Sequence, residues 1–275
     1  MKYCLESISK QDLTPVQFQD IEVIVIDGGS NVDGAYPIIE DYFRKIIESK
    51  GMKFKMVRTS SRISRSDARN LGLQLSKSDI IIFLDGDVIL HKDYISETLV
   101  RHQFLKNIVL VGFKENISVE EARELLKSNK ISKIPNISKD FRVHTERKRE
   151  WTGLFPSDKK IIRCLEETNY FKDFGFNRNL GPFNLACMVV THNVSVRREE
   201  AMLAGGFDPK FEGWGLEDTH FGAKLIARGN YIIPLLSTGV FHISTETEEK
   251  ERKIESLRRN YKIMYELLNS EFCIL

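Results

Sequence analysis

The chain has 275 residues and a mass of 31.8 kDa, with 41% hydrophobic and 29% charged residues. This size and composition allow a large buried core in one domain or two, and they exclude a disordered or fibrous protein. Lys and Arg number 41 against 39 Asp and Glu, a net charge of only +2. Without a general basic surface to neutralise phosphates, no nucleic-acid partner is expected.

The cysteines and the hydropathy indicate the compartment. Cys4, Cys164, Cys187 and Cys273 are widely spaced and form no C-x-x-C pair, which favours free thiols over a disulfide scaffold or a zinc site. No stretch approaches the ~18–20 consecutive apolar residues that cross a bilayer, and the N-terminus lacks a signal-peptide apolar region. We expect a cytoplasmic protein and leave peripheral membrane association open.

Helices and strands are predicted to alternate through the first part of the chain. The opening residues fit a short amphipathic helix, and the aliphatic run Ile21–Ile26 then ends at Asp27. The same periodicities predict helices at 36–49, 66–76 and 94–104, and strands at 53–58, 80–84 and 108–112. Such alternation indicates a mostly parallel α/β sheet that binds ligands at the carboxyl ends of its strands, where Asp27 and Asp85 both fall.

The second part of the chain is less regular. Residues 114–178 form a charged, partly helical stretch that we interpret as an excursion from the sheet. Strands are then predicted at 185–190, 231–235 and 240–243. The tail, 246–268, is predicted to be one helix with a single apolar stripe, formed by Ile254, Leu257, Tyr261, Met264 and Leu268.

Two carboxylates follow the most apolar of these strands. The run Ile80–Leu84 leads directly into Asp85-Gly86-Asp87. Oxygen ligands at i and i+2 in a turn can converge on one hard divalent cation such as Mg²⁺ or Mn²⁺. The alternative for this sequence is a solvated turn without a metal. Two classes of enzyme use such a pair, the haloacid-dehalogenase phosphatases and the nucleotide-sugar glycosyltransferases, and the rest of the sequence has to distinguish between them.

That context is the string Gly213-Trp214-Gly215-Leu-Glu217-Asp218. Glycines on both sides of a tryptophan allow a tight turn that presents a flat apolar face, on which a sugar ring can stack. Glu217 and Asp218 are expected to open a helix, where the dipole favours carboxylates. The alternative is that these acids only cap a helix beside a core tryptophan.

Together, the segments 22–30, 66–87 and 205–229 resemble the inverting family 2 glycosyltransferases of GT-A fold. The similarity is greatest to chondroitin-polymerase-like enzymes with a galactosyltransferase-type carboxy-terminal half, and it runs from about residue 5 to about residue 242. It implies a Rossmann-like α/β fold with flanking helices and a mostly parallel central sheet. Residues 1–113 would be the nucleotide-sugar-binding half, 114–245 the acceptor-binding and catalytic half, and 246–275 a C-terminal helix.

The resemblance assigns the donor to the first half. Asp27 would hydrogen-bond the uracil of a UDP-sugar. Arg65 or Arg69, in a segment that matches the family's A-R-N-x-G helix, would contact the nucleotide, and a structural salt bridge is an equally good interpretation for either. Asp85 would face the ribose and the metal, and Asp87 would ligate a Mn²⁺ or Mg²⁺ ion that stabilises the departing diphosphate.

The resemblance assigns the chemistry to the second half. Asp218 matches the general base that takes the proton of the acceptor hydroxyl. Glu217 would hydrogen-bond a sugar and Trp214 would stack on one. His242 stands where related enzymes have a third metal ligand, and the alternative for it is a packed histidine.

The remaining histidines are not assigned to the site. The pair His192-Asn193 lies where the family often has polar residues near the donor sugar, and a structural turn is an equal alternative. The other four show no ligand spacing and are expected at the surface: His91, His102, His144 and His220.

The function implied is a metal-dependent inverting transfer of a sugar from a UDP-sugar to a hydroxyl acceptor, a glycan in preference to a peptide.

Family members place an aliphatic strand before the helix that Leu5–Gln11 matches, and only Met1–Cys4 precede it here. We therefore expect the first strand of the sheet to be missing. The alternative is a truncated or inactive remnant that binds nucleotide or sugar without turnover. A haloacid-dehalogenase phosphatase is more remote, because its Asp pair follows the first strand and here the pair follows the third.

Overall fold

The computed structural model describes residues 1–30, 34–128, 130–136, 140, 142–144, 151–152, 159–160, 179–180, 185–244 and 250–272. Its helices are α1 Lys2–Ser9, α2 Pro15–Gln19, α3 Tyr36–Glu48, α4 Arg65–Leu75, α5 Tyr94–Phe104, α6 Val119–Lys127, α7 Arg198–Leu203, α8 Glu217–Ala227 and α9 Lys250–Phe272. Its longer strands are β1 Glu22–Asp27, β2 Lys53–Arg58, β3 Ile80–Leu84, β4 Val88–Leu90, β5 Ile108–Ile117, β10 Asn193–Arg197 and β11 Tyr231–Ile243. Four two-residue strands complete the numbering: β6 Val143–His144, β7 Trp151–Thr152, β8 Lys159–Lys160 and β9 Asn179–Leu180.

The central sheet is mixed. Five strands pair in the order β3-β10-β5-β11-β4, and β1 pairs with β2 in a separate parallel sheet. β11 runs parallel to β5, whereas β10 runs antiparallel to both β3 and β5, and β4 runs antiparallel to β11. The α/β class predicted from the sequence is therefore confirmed, with two reversed strands that the alternation of elements did not indicate.

One predicted strand is wrong. Residues Leu185–Met188 form a 3₁₀ turn, and the strand lies further along as β10. Helix α8 packs closely on the turn, because a Cβ on Gly222 would lie only 2.8 Å from the carbonyl oxygen of Ala186. Ala186, Met188 and Val189 of the apolar run are thus buried under a helix. The strand β10 instead contains the buried polar residues Asn193 and Ser195, which hide its strand pattern.

Three apolar clusters fill the space between the helices and the strands. One contains Leu73 of α4 together with Phe83, Phe207 and Phe221, whose rings stack or meet edge to face. The second joins α1, α3 and α5 to β1 and to the other face of β3. Because successive residues of a strand point to opposite faces, these two clusters lie on the two sides of β3.

The C-terminal helix is confirmed, but its buried face differs from the predicted stripe. Asn260 and Leu267 are buried, whereas Ile254 and Tyr261 are exposed. The stripe contained only apolar residues, and the observed face has a polar residue at its centre; the side chain of Leu268 lies outside the described residues. Within the described ranges, none of the helices combines the length and the apolar character needed to span a bilayer.

Candidate active site

Strand register brings the predicted metal ligands together. Asp85 and Asp87 lie in the turn between β3 and β4, and β4 pairs with β11 so that Val88 stands opposite His242. The backbone N–H of Ile243 also donates to the carbonyl of Asp87, at 2.9 Å. A residue of the last strand is thereby fixed beside a turn formed more than 150 positions earlier.

The geometry of this group fits a divalent cation. One ligand atom from each of Asp85, Asp87 and His242 lies within 4.8 Å of the other two. The Nε2 atom of His242 is 3.7 Å from an Asp87 oxygen, which is too long for a hydrogen bond. Two ligands at right angles around one ion, each about 2.1 Å from it, lie about 3 Å apart, so a small inward movement gives bonding distances. Burial lowers the pKa of His242, with Lys114 adding to the effect, and this keeps the imidazole in the neutral form that binds metals.

Arg69 joins the metal group to the acids of α8. Its guanidinium lies 3.1 Å from Glu217, 3.2 Å from Asp218 and 3.7 Å from Asp85. Although burial opposes its charge, these three carboxylates raise the pKa of Arg69. Of the two interpretations left open for this residue, the structure supports an ion-pair bridge between the two halves of the site.

Asp218 is held in a defined orientation. Its two oxygens accept hydrogen bonds from the backbone N–H and the hydroxyl of Thr191, at 3.1 and 2.9 Å. The side chain is 16% exposed, so it can still be reached by a substrate. Burial raises the pKa of Asp218 to about 6, with Glu217 adding to the rise while Arg69 opposes it. The carboxyl group is therefore a stronger base than an ordinary aspartate.

The loop that presents Trp214 has an unusual backbone. Gly213, Gly215 and Leu216 have φ values of 75°, 97° and 73°, and Leu216 is the only non-glycine residue with positive φ among those described. Such strain in a bulky residue is found where a structure holds a functional segment. Trp214 is 40% exposed, and the Asn260 side-chain amide of α9 lies 2.7 to 3.4 Å from the carbonyl oxygens of Glu212, Trp214 and Gly215.

The two other predicted donor-binding residues do not join this cluster. Asp27 lies at the end of β1, where it accepts a hydrogen bond from the backbone of Ser30 and lies 3.9 Å from Arg58. Arg65 begins α4 and lines a cavity between β1 and β3. Among the described residues, neither forms an ion pair or a hydrogen bond with the carboxylates around Arg69.

Sequence reasoning missed an ion pair behind the metal group. Asp140 and Arg142 are fully buried and paired at 2.8 Å, and Arg142 also donates to the carbonyls of Met188 and Gly112. Its guanidinium lies 3.4 Å from Nε2 of His192, whose ring meets that of His242 at 6.2 Å. Both charges lie in the 114–178 stretch, beyond α6, where the sequence around them has no period that could have distinguished them from surface residues.

Most of the histidines expected at the surface are buried. His91, His102 and His220 are each less than 4% exposed, and His91 and His102 have hydrogen-bond partners. The side chain of His144 lies outside the described residues. A single histidine in a mixed sequence gives no sign of burial, because its environment is set by elements distant in the chain.

Comparison with known proteins identifies the family of the chain. The model of the glycosyl transferase family 2 matches residues 1–165. The glycosyltransferase YfnE of Bacillus subtilis is 23% identical over 92% of this chain and 64% of its own length. The chondroitin synthase of Escherichia coli is 25% identical over 84% of this chain, and the match covers 32% of that protein. The chain thus spans less than two thirds of the length of either relative.

Solved structures share the fold at low sequence identity. TarS of S. aureus, in complex with UDP-GlcNAc, has a TM-score of 0.55 and 16% identity, covering 89% of this chain and 55% of that one. GalNAc-T7 with UDP, GalNAc and Mn²⁺ has a TM-score of 0.57 and 17% identity, covering 86% and 40%. These neighbours support the GT-A fold, and the family match excludes the phosphatase interpretation. The chain belongs to glycosyl transferase family 2.

Proposed function

We propose that this glycosyltransferase moves a sugar from a UDP-sugar to a hydroxyl group of a glycan, with inversion at the anomeric carbon and with a bound divalent cation. The observation that supports this most directly is the convergence of Asp85, Asp87 and His242 beside the Arg69-bridged pair Glu217 and Asp218. The first three residues could hold a cation that binds the diphosphate of the donor. Glu217 and Asp218 could bind and deprotonate the attacking hydroxyl of the acceptor.

The donor would be held by the first half of the chain. Asp85, Asp87 and His242 would hold Mn²⁺ or Mg²⁺, which supplies positive charge against the departing diphosphate. Asp27 would accept a hydrogen bond from the uracil, and the exposed Arg65 would meet the nucleotide. UDP is favoured because two structural neighbours were solved with UDP or UDP-GlcNAc. A mannosyltransferase of Pyrobaculum calidifontis, solved with GDP-Man and Mn²⁺, makes GDP-mannose a necessary member of any donor panel.

The acceptor would meet the second half. An Asp218 oxygen would take the hydroxyl proton while that hydroxyl attacks the anomeric carbon from the face opposite the diphosphate, and attack from that face inverts the configuration. Thr191 and Arg69 keep the carboxylate in place. Trp214 would stack on a sugar ring and Glu217 would bind a hydroxyl. A glycan acceptor is favoured by the similarity to chondroitin synthase.

The proposal is tested by measuring release of UDP or GDP from a panel of UDP- and GDP-sugars in the presence of Mn²⁺ and oligosaccharide acceptors. We expect turnover with at least one UDP-sugar, and a loss of about 10²- to 10⁴-fold in Asp218→Asn, the usual contribution of a general base. Unchanged turnover in that variant would refute the base assignment. UDP binding without turnover of any donor would favour the alternative that the protein only binds nucleotide. If the protein neither bound UDP nor turned over any donor, the assignment as an active enzyme would be refuted.

The cation site can be tested without the reaction. Mn²⁺ binding followed by electron paramagnetic resonance should weaken by at least about tenfold in Asp87→Asn and in His242→Gln, since even an outer-shell partner contributes that much to metal affinity. Asp41→Asn is the matched control, because Asp41 is an exposed acid paired with Lys45 on α3. Equal Mn²⁺ affinity in all four proteins would rule out this ligand set.

A further inference from the structure

Two neighbouring acids at the start of α8 share one guanidinium, and they differ in how firmly they are oriented. Nη1 of Arg69 lies 3.1 Å from Oε1 of Glu217 and 3.2 Å from Oδ1 of Asp218. Among the described residues, only Asp218 of this pair also accepts hydrogen bonds from Thr191. The contacts that distinguish the two carboxylates therefore come from Thr191.

Thr191 supplies one donor to each oxygen of the Asp218 carboxylate. Its hydroxyl donates to Oδ1 at 2.9 Å, and its backbone N–H donates to Oδ2 at 3.1 Å. An ionised carboxylate only accepts hydrogen bonds, so the direction of the hydroxyl bond is fixed. Rotation of the carboxylate about its Cβ–Cγ bond would break both bonds, and Thr191 thereby sets the plane of the group.

Thr191 is itself fixed before any substrate binds. It is 1% exposed, and it lies in a turn that the backbone N–H of Asn193 closes on the carbonyl of Val190 at 3.4 Å. The 3₁₀ turn Leu185–Met188 comes just before it, and a Cβ on Gly222 of α8 would stand only 2.8 Å from a carbonyl oxygen of that turn. Because the two elements are in such close contact, the donors of Thr191 need no rearrangement during a reaction.

The two oxygens of Asp218 have different surroundings. Oδ1 accepts the Thr191 hydroxyl and also lies beside the guanidinium of Arg69. Oδ2 accepts only the backbone N–H of Thr191 among the described residues. A proton on Oδ1 would meet the permanent charge of Arg69 and would compete with the hydroxyl donor, whereas a proton on Oδ2 leaves both of these contacts in place.

The charged groups around Asp218 come from two helices. Burial raises the pKa of Asp218; Arg69 of α4 opposes the rise, Glu217 of α8 adds to it, and the two bonds from Thr191 oppose it. Asp85 lies on the other side of Arg69, 3.7 Å from its guanidinium. A hydroxyl that donates to the ionised form favours that form, so loss of the Thr191 hydroxyl has a defined effect on the pKa.

We propose that Thr191 directs proton transfer at the base: its hydroxyl holds Oδ1 of Asp218, and Oδ2 takes the proton of the acceptor hydroxyl. This inference rests on the proposed function and extends it to single atoms. As the acceptor oxygen bonds to the anomeric carbon, its proton passes to Oδ2. The bond from that carbon to the diphosphate oxygen breaks, and its electron pair leaves with the diphosphate. Thr191 contacts the base and none of the reacting atoms, so it is a positioning residue.

Neutron diffraction at about pH 5, without nucleotide or cation, tests which oxygen takes the proton. Asp218 is mostly protonated there, because its pKa is about 6. We expect a deuteron on Oδ2 and the Thr191 hydroxyl directed at Oδ1. A deuteron on Oδ1, or a Thr191 hydroxyl directed away from the carboxyl group, would overturn the proposal.

A second experiment measures the effect of the hydroxyl by ¹³C NMR titration of the Asp218 carboxyl group, assigned by its absence in Asp218→Asn. Thr191→Val replaces the hydroxyl with a methyl group and should raise the pKa of Asp218 by about one unit, a tenfold change in its ionisation constant. Thr191→Ser keeps the hydroxyl and should restore the original titration. Thr98→Val is the matched control, because Thr98 is also buried and its hydroxyl donates to the Tyr94 carbonyl within α5.

The outcomes separate this inference from the proposed function. An unshifted titration in Thr191→Val, or an equal shift in Thr191→Ser or Thr98→Val, would overturn the role of the hydroxyl even in an active enzyme. With a donor that is turned over, Thr191→Val should lower kcat about tenfold at unchanged donor KM and move the acid limb up by about one pH unit, and Thr191→Ser should reverse both effects. If the unaltered protein turns over no donor while the NMR shift is present, the proposed function fails and the effect of Thr191 on Asp218 stands.

Discussion

Arg69 lies where the charges of the two halves of the site meet. One guanidinium serves three carboxylates, from the β3–β4 turn and from α8, and it is itself largely shielded from solvent. A buried positive charge with several acidic partners lowers the cost of keeping those acids ionised. The basicity of Asp218 therefore depends on a residue that lies almost 150 positions away in sequence.

The raised pKa of Asp218 predicts the pH dependence of the reaction. The base we propose acts only when ionised, so kcat/KM should fall about tenfold per pH unit below pH about 6, whereas an ordinary aspartate would keep activity to about pH 4. The measurement is initial rate at subsaturating acceptor from pH 4.5 to 8. A flat profile down to pH 5 would contradict the assignment.

The loss of activity on protonation of Asp218 can be distinguished from a loss of activity caused by unfolding. Because the folded-state pKa of Asp218 lies above 3.8, the ordinary value of an aspartate, the folded protein holds this proton more tightly than the unfolded chain does. The contribution of Asp218 to stability is thus present at low pH and is lost as the pH rises from about 4 through about 6. Activity lost on acidification to pH 5 should therefore return when the pH is raised again.

Removal of the positive charge at Arg69 should shift the same profile. In Arg69→Gln, Asp218 loses the group that opposes its raised pKa, so the acid limb of kcat/KM should move to higher pH. Arg228→Gln is the control, since Arg228 pairs with Glu200 at the surface. A merely structural role for Arg69 would lower the rate without moving the limb.

At the scale of elements, α9 carries more of the site than its sequence suggests. Asn260 is almost fully buried and its amide reaches three carbonyls of the loop that presents Trp214. Backbone carbonyls in a loop of positive φ angles have no regular partners of their own, so the helix supplies the donor. A charged tail helix thereby supports the loop that presents Trp214.

Asn260→Ala should release that loop. We expect a loss of about 1–3 kcal/mol in the free energy of unfolding, from buried acceptors left unpaired, and a higher KM for the acceptor with a smaller change in kcat. Chemical denaturation and acceptor titrations measure the two effects. Tyr261→Ala, which changes an exposed neighbour on the same helix, should alter neither. If the two variants have equal KM values, the support role is wrong.

The elements that the sequence predicted well are those with a strong and uninterrupted period. β2, β3 and α5 begin and end where the pattern indicated. β10 was missed because Asn193 and Ser195 are polar yet buried. The Asn193 amide N–H donates to the carbonyl of Phe113, and the Ser195 hydroxyl contacts His102, and a strand period in the sequence does not predict such tertiary partners. The buried face of α9 was misassigned for a similar reason, since Asn260 is buried through its hydrogen bonds.

At the scale of the whole molecule, the site is made where the two halves of the chain meet. Arg69, Asp85 and Asp87 come from the first half, and Asp218 and His242 from the second. The carboxylates could be predicted because they follow strands and open a helix, positions fixed by local sequence. The Arg69 bridge and the Asp140–Arg142 pair could not, because they depend on which distant elements the folded chain brings together.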